Sequence, residues 1–146
     1  MDGVMVITPC VSGTVLAPYT LGFPRLVAGT EVPVKVRERR INVSRAICQE
    51  IFLKKYFHKY EFVLLMDSDV EIGMEAVERL MEEWKPGTTP CAITKGSTDG
   101  HVVCACALVH RSDYEKVDYF SDMSVCQCFK LPKPFYVLDA IGKETK

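Results

Sequence analysis

The apolar positions fall into short runs punctuated by polar residues, glycine and proline, and Phe62-Val63-Leu64-Leu65-Met66 is the least interrupted of them. A run this short, without polar alternation, predicts a central parallel strand covered on both faces rather than a helix. It leads straight into Asp67-Ser68-Asp69. Val4-Met5-Val6-Ile7, stopped by Thr8-Pro9, predicts a first buried strand. Gly13, Pro18, Gly22, Pro24 and Gly29 crowd the next stretch, which reads as a loop or broken helix from Val11 to Thr30. Glu31 to Val36 alternates as a second strand, and Pro33, having no N–H to give a ladder, suits it to a sheet edge.

Asn42 or Ser44 then caps a helix running to about Lys59, with Val43, Ala46 or Ile47, Ile51 and Phe57 near one face. Lys54, Lys55, His58 and Lys59 collect at its carboxyl end and complement the helix dipole. Gly73 to Trp84 predicts an amphipathic helix whose core stripe is Met74, Val77, Met81 and Trp84, with Glu75, Glu78 and Glu82 outward and Pro86-Gly87 as its stop. Cys91 to Thr94 and Val102 to Val109 read as strands. Ser112 suits the cap of a short helix through Phe120, Ser121 to Phe129 a further helix, and Pro134 to Leu138 a last strand. This alternation predicts an α/β layer fold, with residues 1–146 as one domain.

Composition narrows the function classes. Lys and Arg number 18 against 19 Asp and Glu, so no global charge draws the chain to nucleic acid or to an anionic membrane. No apolar run approaches a transmembrane helix, and Met1-Asp2-Gly3 lacks the start of a signal peptide, so the expectation is a soluble, cytoplasmic protein. Seven cysteines, an odd number spread mostly through apolar segments, read as buried thiols rather than a secreted disulfide framework. The pairs Cys104/Cys106 and Cys126/Cys128 are spaced too closely for a usual structural zinc site.

The chemistry concentrates at the end of the Phe62–Met66 run. Open α/β sheets bind ligands at the carboxyl ends of their strands, and Asp67 and Asp69 stand at such an end. Two carboxylates there repel each other unless a positive partner compensates them, and a hard divalent cation preferring oxygen ligands is the simplest. Asp-Ser-Asp is equally a turn and capping string. Lys35, Arg37, Arg39, Arg40 and Arg45 form a local basic concentration that reads either as a solvated charge run or as a diphosphate contact, with Arg45 the best placed.

In this order of features the chain resembles the nucleotide-sugar glycosyltransferases of the GT-A fold. The resemblance rests on Val4 to Pro9 as the first strand, Ser44-Arg45-Ala46 as the arginine-containing helix start, and Phe62 to Val70 as the Asp-x-Asp strand. Ala105 to Arg111 is similar to the strand that passes beneath the sugar site and ends in a basic pair. Ser121-Asp122, Cys126 to Phe129 and Tyr136 to Asp139 are similar to the acceptor-side segment, its helix and the closing strand.

What the resemblance implies is a three-layer α/β/α sandwich with a mostly parallel, Rossmann-like central sheet, and a metal-dependent hexosyltransferase acting on an acceptor hydroxyl. Asp69, with Asp67, would hold Mn2+ or Mg2+. Thr8, Pro9, Cys10, Arg45, Asp67 and Ser68 would contact a nucleoside-diphosphate sugar, and Asp122 would be the general base toward a glycan, protein or lipid acceptor. Asp122 also suits a helix N-cap. The family's usual metal-site histidine near the last strand is missing, leaving Asp139 or water to complete the shell. The chain is short for the family, and an oligomer is compatible with it. The alternatives are a non-catalytic nucleotide-sugar-binding or scaffold protein on the same fold and, further off, a nucleotidyltransferase or phosphotransferase.

Overall fold

The structure, a computed structural model, describes residues 3–9, 23–28, 37–67, 70–94, 104–120 and 130–144. Its strands are β1 (Val4–Pro9), β2 (Arg25–Ala28), β3 (Phe62–Met66), β4 (Val70–Glu71), β5 (Thr89–Thr94), β6 (Cys104–His110) and β7 (Pro134–Glu144), and its helices are α1 (Arg37–Lys55), α2 (Met74–Glu83) and α3 (Arg111–Tyr114). The strands form one sheet in the order β2-β1-β3-β6-β5-β7-β4. The α/β class expected from the sequence is therefore present.

The direction of the strands corrects the expectation of a mostly parallel sheet. β1 pairs in parallel with β2 and β3, as β5 does with β7, but β6 runs antiparallel to both β3 and β5, and β4 antiparallel to β7. Ala105 to Val109 of β6 are nonetheless buried throughout. An unbroken apolar run thus reports that both faces of a strand are covered, and β6 is covered in that way while running against its neighbours.

Side-chain parity divides the core into two layers. Val4 and Val6 of β1 and Phe62, Leu64 and Met66 of β3 pack with Ala76, Val77 and Leu80 of α2. Met5 and Ile7, with Val63 and Leu65, pack on the other face with Cys48 and Phe52 of α1 and with Tyr114, Val117 and Tyr119 in and after α3. Each large aliphatic side chain so enclosed contributes about 1.5–3 kcal/mol relative to exposure. The whole of Phe62–Met66 is buried, as its sequence predicts.

Several element boundaries differ from those read in the sequence. α1 begins at Arg37, so Asn42 and Ser44 are helix interior and not caps; it ends at Lys55, short of Lys59. β2 lies inside the stretch read as loop, where Leu26-Val27-Ala28 is too brief to register as a strand, and the strand expected over 31–36 falls outside the described residues. α2 spans close to its predicted range, but its most buried side chains are Ala76, Val77 and Leu80; of the expected stripe Val77 is buried, while Met74, Met81 and Trp84 pack partly buried at its margin. α3 begins at Arg111 and is capped by the His110 ring, which accepts from the Ser112 N–H; Ser112 is not the cap. β7 runs six residues past Leu138, to Glu144, because its far end pairs with β4. The helix expected from Ser121 to Phe129 lies outside the described residues.

Candidate functional site

α1 runs antiparallel to β3. Its Arg45 reaches the carboxyl end of β3, while Phe57, just past its own end, accepts from Arg111 at the opposite edge of the sheet. The first turns of α1, where Arg37, Arg39 and Arg40 lie, therefore stand at the edge at which β1 and β3 finish. A helix start carries unpaired N–H groups and a partial positive charge, both favourable to an anion.

Arg45 is 5% exposed, and its guanidinium Nη2 lies 3.9 Å from Oδ1 of Asp67, which is 55% exposed. That is a Coulombic approach beyond hydrogen-bonding distance. Tyr119 closes the arrangement from the α3 side: burial pushes its hydroxyl well above the usual tyrosine range, and the nearby Arg45 charge pulls against that shift. Burial likewise pushes Tyr114 up. Gln49, one turn further along α1, fixes this segment by donating to the Tyr114 and Val117 carbonyls at 2.8 and 2.7 Å. A cation is thereby sealed against the sheet behind a carboxylate open to solvent.

The expected site residues divide by parity. Asp67 shares the face of Val63 and Leu65, toward α1, and so meets Arg45. Thr8 shares the face of Val4 and Val6, away from α1. Its hydroxyl accepts from Arg25 Nε at 2.9 Å, a partner in β2 that the sequence reading left in a loop. A lone arginine between Pro24 and an apolar triplet was the available signal. From the α1 side, the Cys48 thiol approaches the Thr8 carbonyl at 3.7 Å, tying α1 to the end of β1. Pro9 is buried as the last residue of β1. Cys10, Ser68, Asp69 and Asp122 lie outside the described residues.

Two further polar side chains were missed as anything but caps. Asn42 and Ser44 are 1% and 0% exposed, and among the described residues the Asn42 amide nitrogen, the Asn42 amide oxygen and the Ser44 hydroxyl have no hydrogen-bond partner. Each buried group left so costs about 1–3 kcal/mol. A cap-forming residue type within a helix, at a position that apolar spacing places inward, was the signal.

Among the described residues no three His, Cys, Asp or Glu side chains converge as a metal-binding group. Among the described residues Asp67 contributes a hard oxygen donor at the strand end, the ligand type that Mg2+ and Mn2+ prefer, so this residue fits such an ion in chemistry. Asp139, the other carboxylate expected near it, is engaged by Arg79 of α2 at 3.0 Å; the Arg79 guanidinium holds its carboxyl below the usual range. Of the two cysteine pairs, Cys126/Cys128 lies outside the described residues; in the other, the Cys104 thiol approaches the Cys106 carbonyl at 3.5 Å, and burial pushes the Cys106 thiol up to about 12.

The antiparallel course of β6 takes His110 and Arg111 to the edge opposite Asp67, since His110 pairs with Phe62 and Cys106 with Met66. There the His110 ring stacks on Trp84 at 5.6 Å and meets Phe62 edge-on at 5.3 Å, and its Nε2 lies 3.3 Å from the Glu61 carboxylate. This basic pair belongs to a packed corner, remote from the Arg45–Asp67 edge.

No family model and no curated protein matches the chain. Among solved structures it is similar to a glycosyltransferase involved in the glycosylation of the major capsid of PBCV-1, with a TM-score of 0.52 and 13% identity over 77% of this chain and 62% of that one. It is also similar to A197 from STIV, with a TM-score of 0.53 and 15% identity over 92% of this chain and 81% of that one. The match thus spans less than two thirds of the glycosyltransferase. At these identities the likeness is one of fold, and a glycosyltransferase is among the proteins that share it.

Proposed function

We propose that the chain is a metal-dependent glycosyltransferase that moves a sugar from a nucleoside-diphosphate donor to an acceptor hydroxyl. The observation that carries this reading is the buried Arg45 guanidinium standing 3.9 Å behind the open Asp67 carboxylate at the carboxyl edge of the sheet. Ligands of open α/β sheets gather at that edge. The shared fold with a glycosyltransferase supports it.

In this reading Arg45 and the first turn of α1 attract the donor diphosphate, and the Gln49 hydrogen bonds to the Tyr114 and Val117 carbonyls hold the helix so that the guanidinium needs no rearrangement on binding. Asp67 and Asp69 would hold the divalent ion, which when bound supplies positive charge against the departing diphosphate. The acceptor oxygen forms a bond to the anomeric carbon, and the bond from that carbon to the diphosphate oxygen breaks with its electron pair leaving on the diphosphate. The acceptor's proton passes to the Asp122 carboxylate.

The test separates binding from transfer. Asp122→Asn is expected to bind the donor as wild type does while release of nucleoside diphosphate from a uridine or guanosine diphosphate sugar, with manganese present, falls by at least about a hundredfold. Equal loss of binding and release would make Asp122 a helix cap. Undiminished release in a folded variant would remove it from the mechanism.

A further inference from the structure

The Asn42 amide, without a hydrogen-bond partner among the described residues, lies one turn of α1 from Arg45. Residues three apart share a helix face, so the two side chains stand side by side, with Asn42 nearer the helix start and the carboxyl edge of the sheet. Asn42 forgoes two hydrogen bonds where a leucine of similar size would forgo none. A buried polar group without a partner among the described residues is a candidate for pairing with a ligand.

We propose that Asn42 is the base-reading residue of the donor site, a role that rests on the nucleotide-sugar reading above. Its carboxamide offers one donor and one acceptor side by side. A phosphate brings only acceptors and would leave the amide oxygen unpartnered. The edge of a nucleobase carries an adjacent donor and acceptor and satisfies both groups at once, as asparagine does when it grips a base edge in a duplex groove. Arg45, next to it on the helix, remains directed toward Asp67, where the diphosphate belongs.

The experiment compares wild type, Asn42→Leu and Asn42→Ala by calorimetric titration with uridine diphosphate, guanosine diphosphate, ribose 5-phosphate and pyrophosphate, manganese present, alongside thermal melting. In the variants the better nucleoside diphosphate should bind about tenfold more weakly or worse. Pyrophosphate and ribose 5-phosphate should bind within about twofold of wild type, and Asn42→Leu should melt no lower than wild type because it removes two unmade hydrogen bonds. Asn42→Ala adds no bulk, so a packing defect in the leucine variant leaves the comparison intact.

Unchanged affinity for the nucleoside diphosphates would overturn the assignment. So would an equal loss for ribose 5-phosphate, which would give Asn42 to sugar hydroxyls, or a lowered melting temperature with parallel loss for every ligand, which would make it structural. Wild type that binds neither nucleoside diphosphate overturns the nucleotide-sugar reading and this one together, whereas wild-type binding indifferent to Asn42 overturns this one alone.

Discussion

Arg45 and Asp67 face each other at 3.9 Å across the boundary between core and solvent, the cation 5% exposed and the anion 55%. A buried charge is tolerated only when paired, and the Asp67 approach, beyond hydrogen-bonding distance, contributes to that pairing by Coulombic attraction. An anionic ligand at this edge would meet both that guanidinium and the start of α1.

Replacing Arg45 should therefore separate stability from binding. Arg45→Met fills a similar volume without a charge, and exchanging a buried ion for a well-packed apolar side chain is often neutral or stabilising. The melting temperature is expected to stay within a few degrees of wild type, while affinity for nucleoside diphosphates falls by about ten- to a hundredfold. Calorimetry and thermal melting on one preparation measure both. Retained affinity would dissociate Arg45 from the phosphate.

Gly142 predicts a packing defect that reaches the site. A Cβ there would lie 2.9 Å from Ala105 Cβ and 3.2 Å from the Glu71 carbonyl, with Val70 Cγ1 at 3.8 Å. Neither a backbone oxygen nor a β-carbon can swing aside, so Gly142→Ala must shift β4 or β6. Overpacking of this kind costs about 1–3 kcal/mol. β4 begins just after Asp69, so the variant should also lose donor affinity. Chemical denaturation reads the first effect and titration the second, and a wild-type midpoint would show that the strands give way freely.

How much of this could be read from the chain depends on what each residue pattern reports. The Phe62–Met66 run announces a buried strand, and that strand forms, with Asp67 following it. The same kind of run in β6 says nothing of direction, and its reversal carries His110 and Arg111 away from the site. Arg25–Ala28 is too short to outweigh the glycines and prolines around it, so the partner of Thr8 was hidden. Arg37-Glu38-Arg39-Arg40 shows no apolar period and no cap, so the sequence points to a later helix start and to Asn42 or Ser44 as its cap, whereas the helix begins at Arg37. The Arg45–Asp67 approach was legible as two residues, not as a pair. Parity along β3 and the course of α1 bring them together.

The Arg79 network sets an acid dependence. Arg79 contacts Asp139, Glu82 and Glu83 at 3.0, 2.7 and 2.9 Å, and it holds the Asp139 carboxyl below its ordinary value of 3.8. A depressed folded-state value contributes stability that is present above the unfolded value and is lost as pH falls through the folded one. Asp139→Asn should lower the melting temperature slightly at neutral pH, because the groups are exposed and screened. The gap between variant and wild type should close in acid. A gap that persists in strong acid, where the carboxyl is protonated in both states, or one that widens on acidification, would show that Asp139 acts by something other than its charge.

The account stands or falls on calorimetric titration of wild type and Asp69→Ala with uridine and guanosine diphosphate sugars, with and without manganese. It predicts that wild type binds one of the two nucleotides in a manganese-dependent manner, and that a folded Asp69→Ala variant loses that binding. No binding of either nucleotide under any metal condition, or binding unchanged in the folded variant, would contradict it.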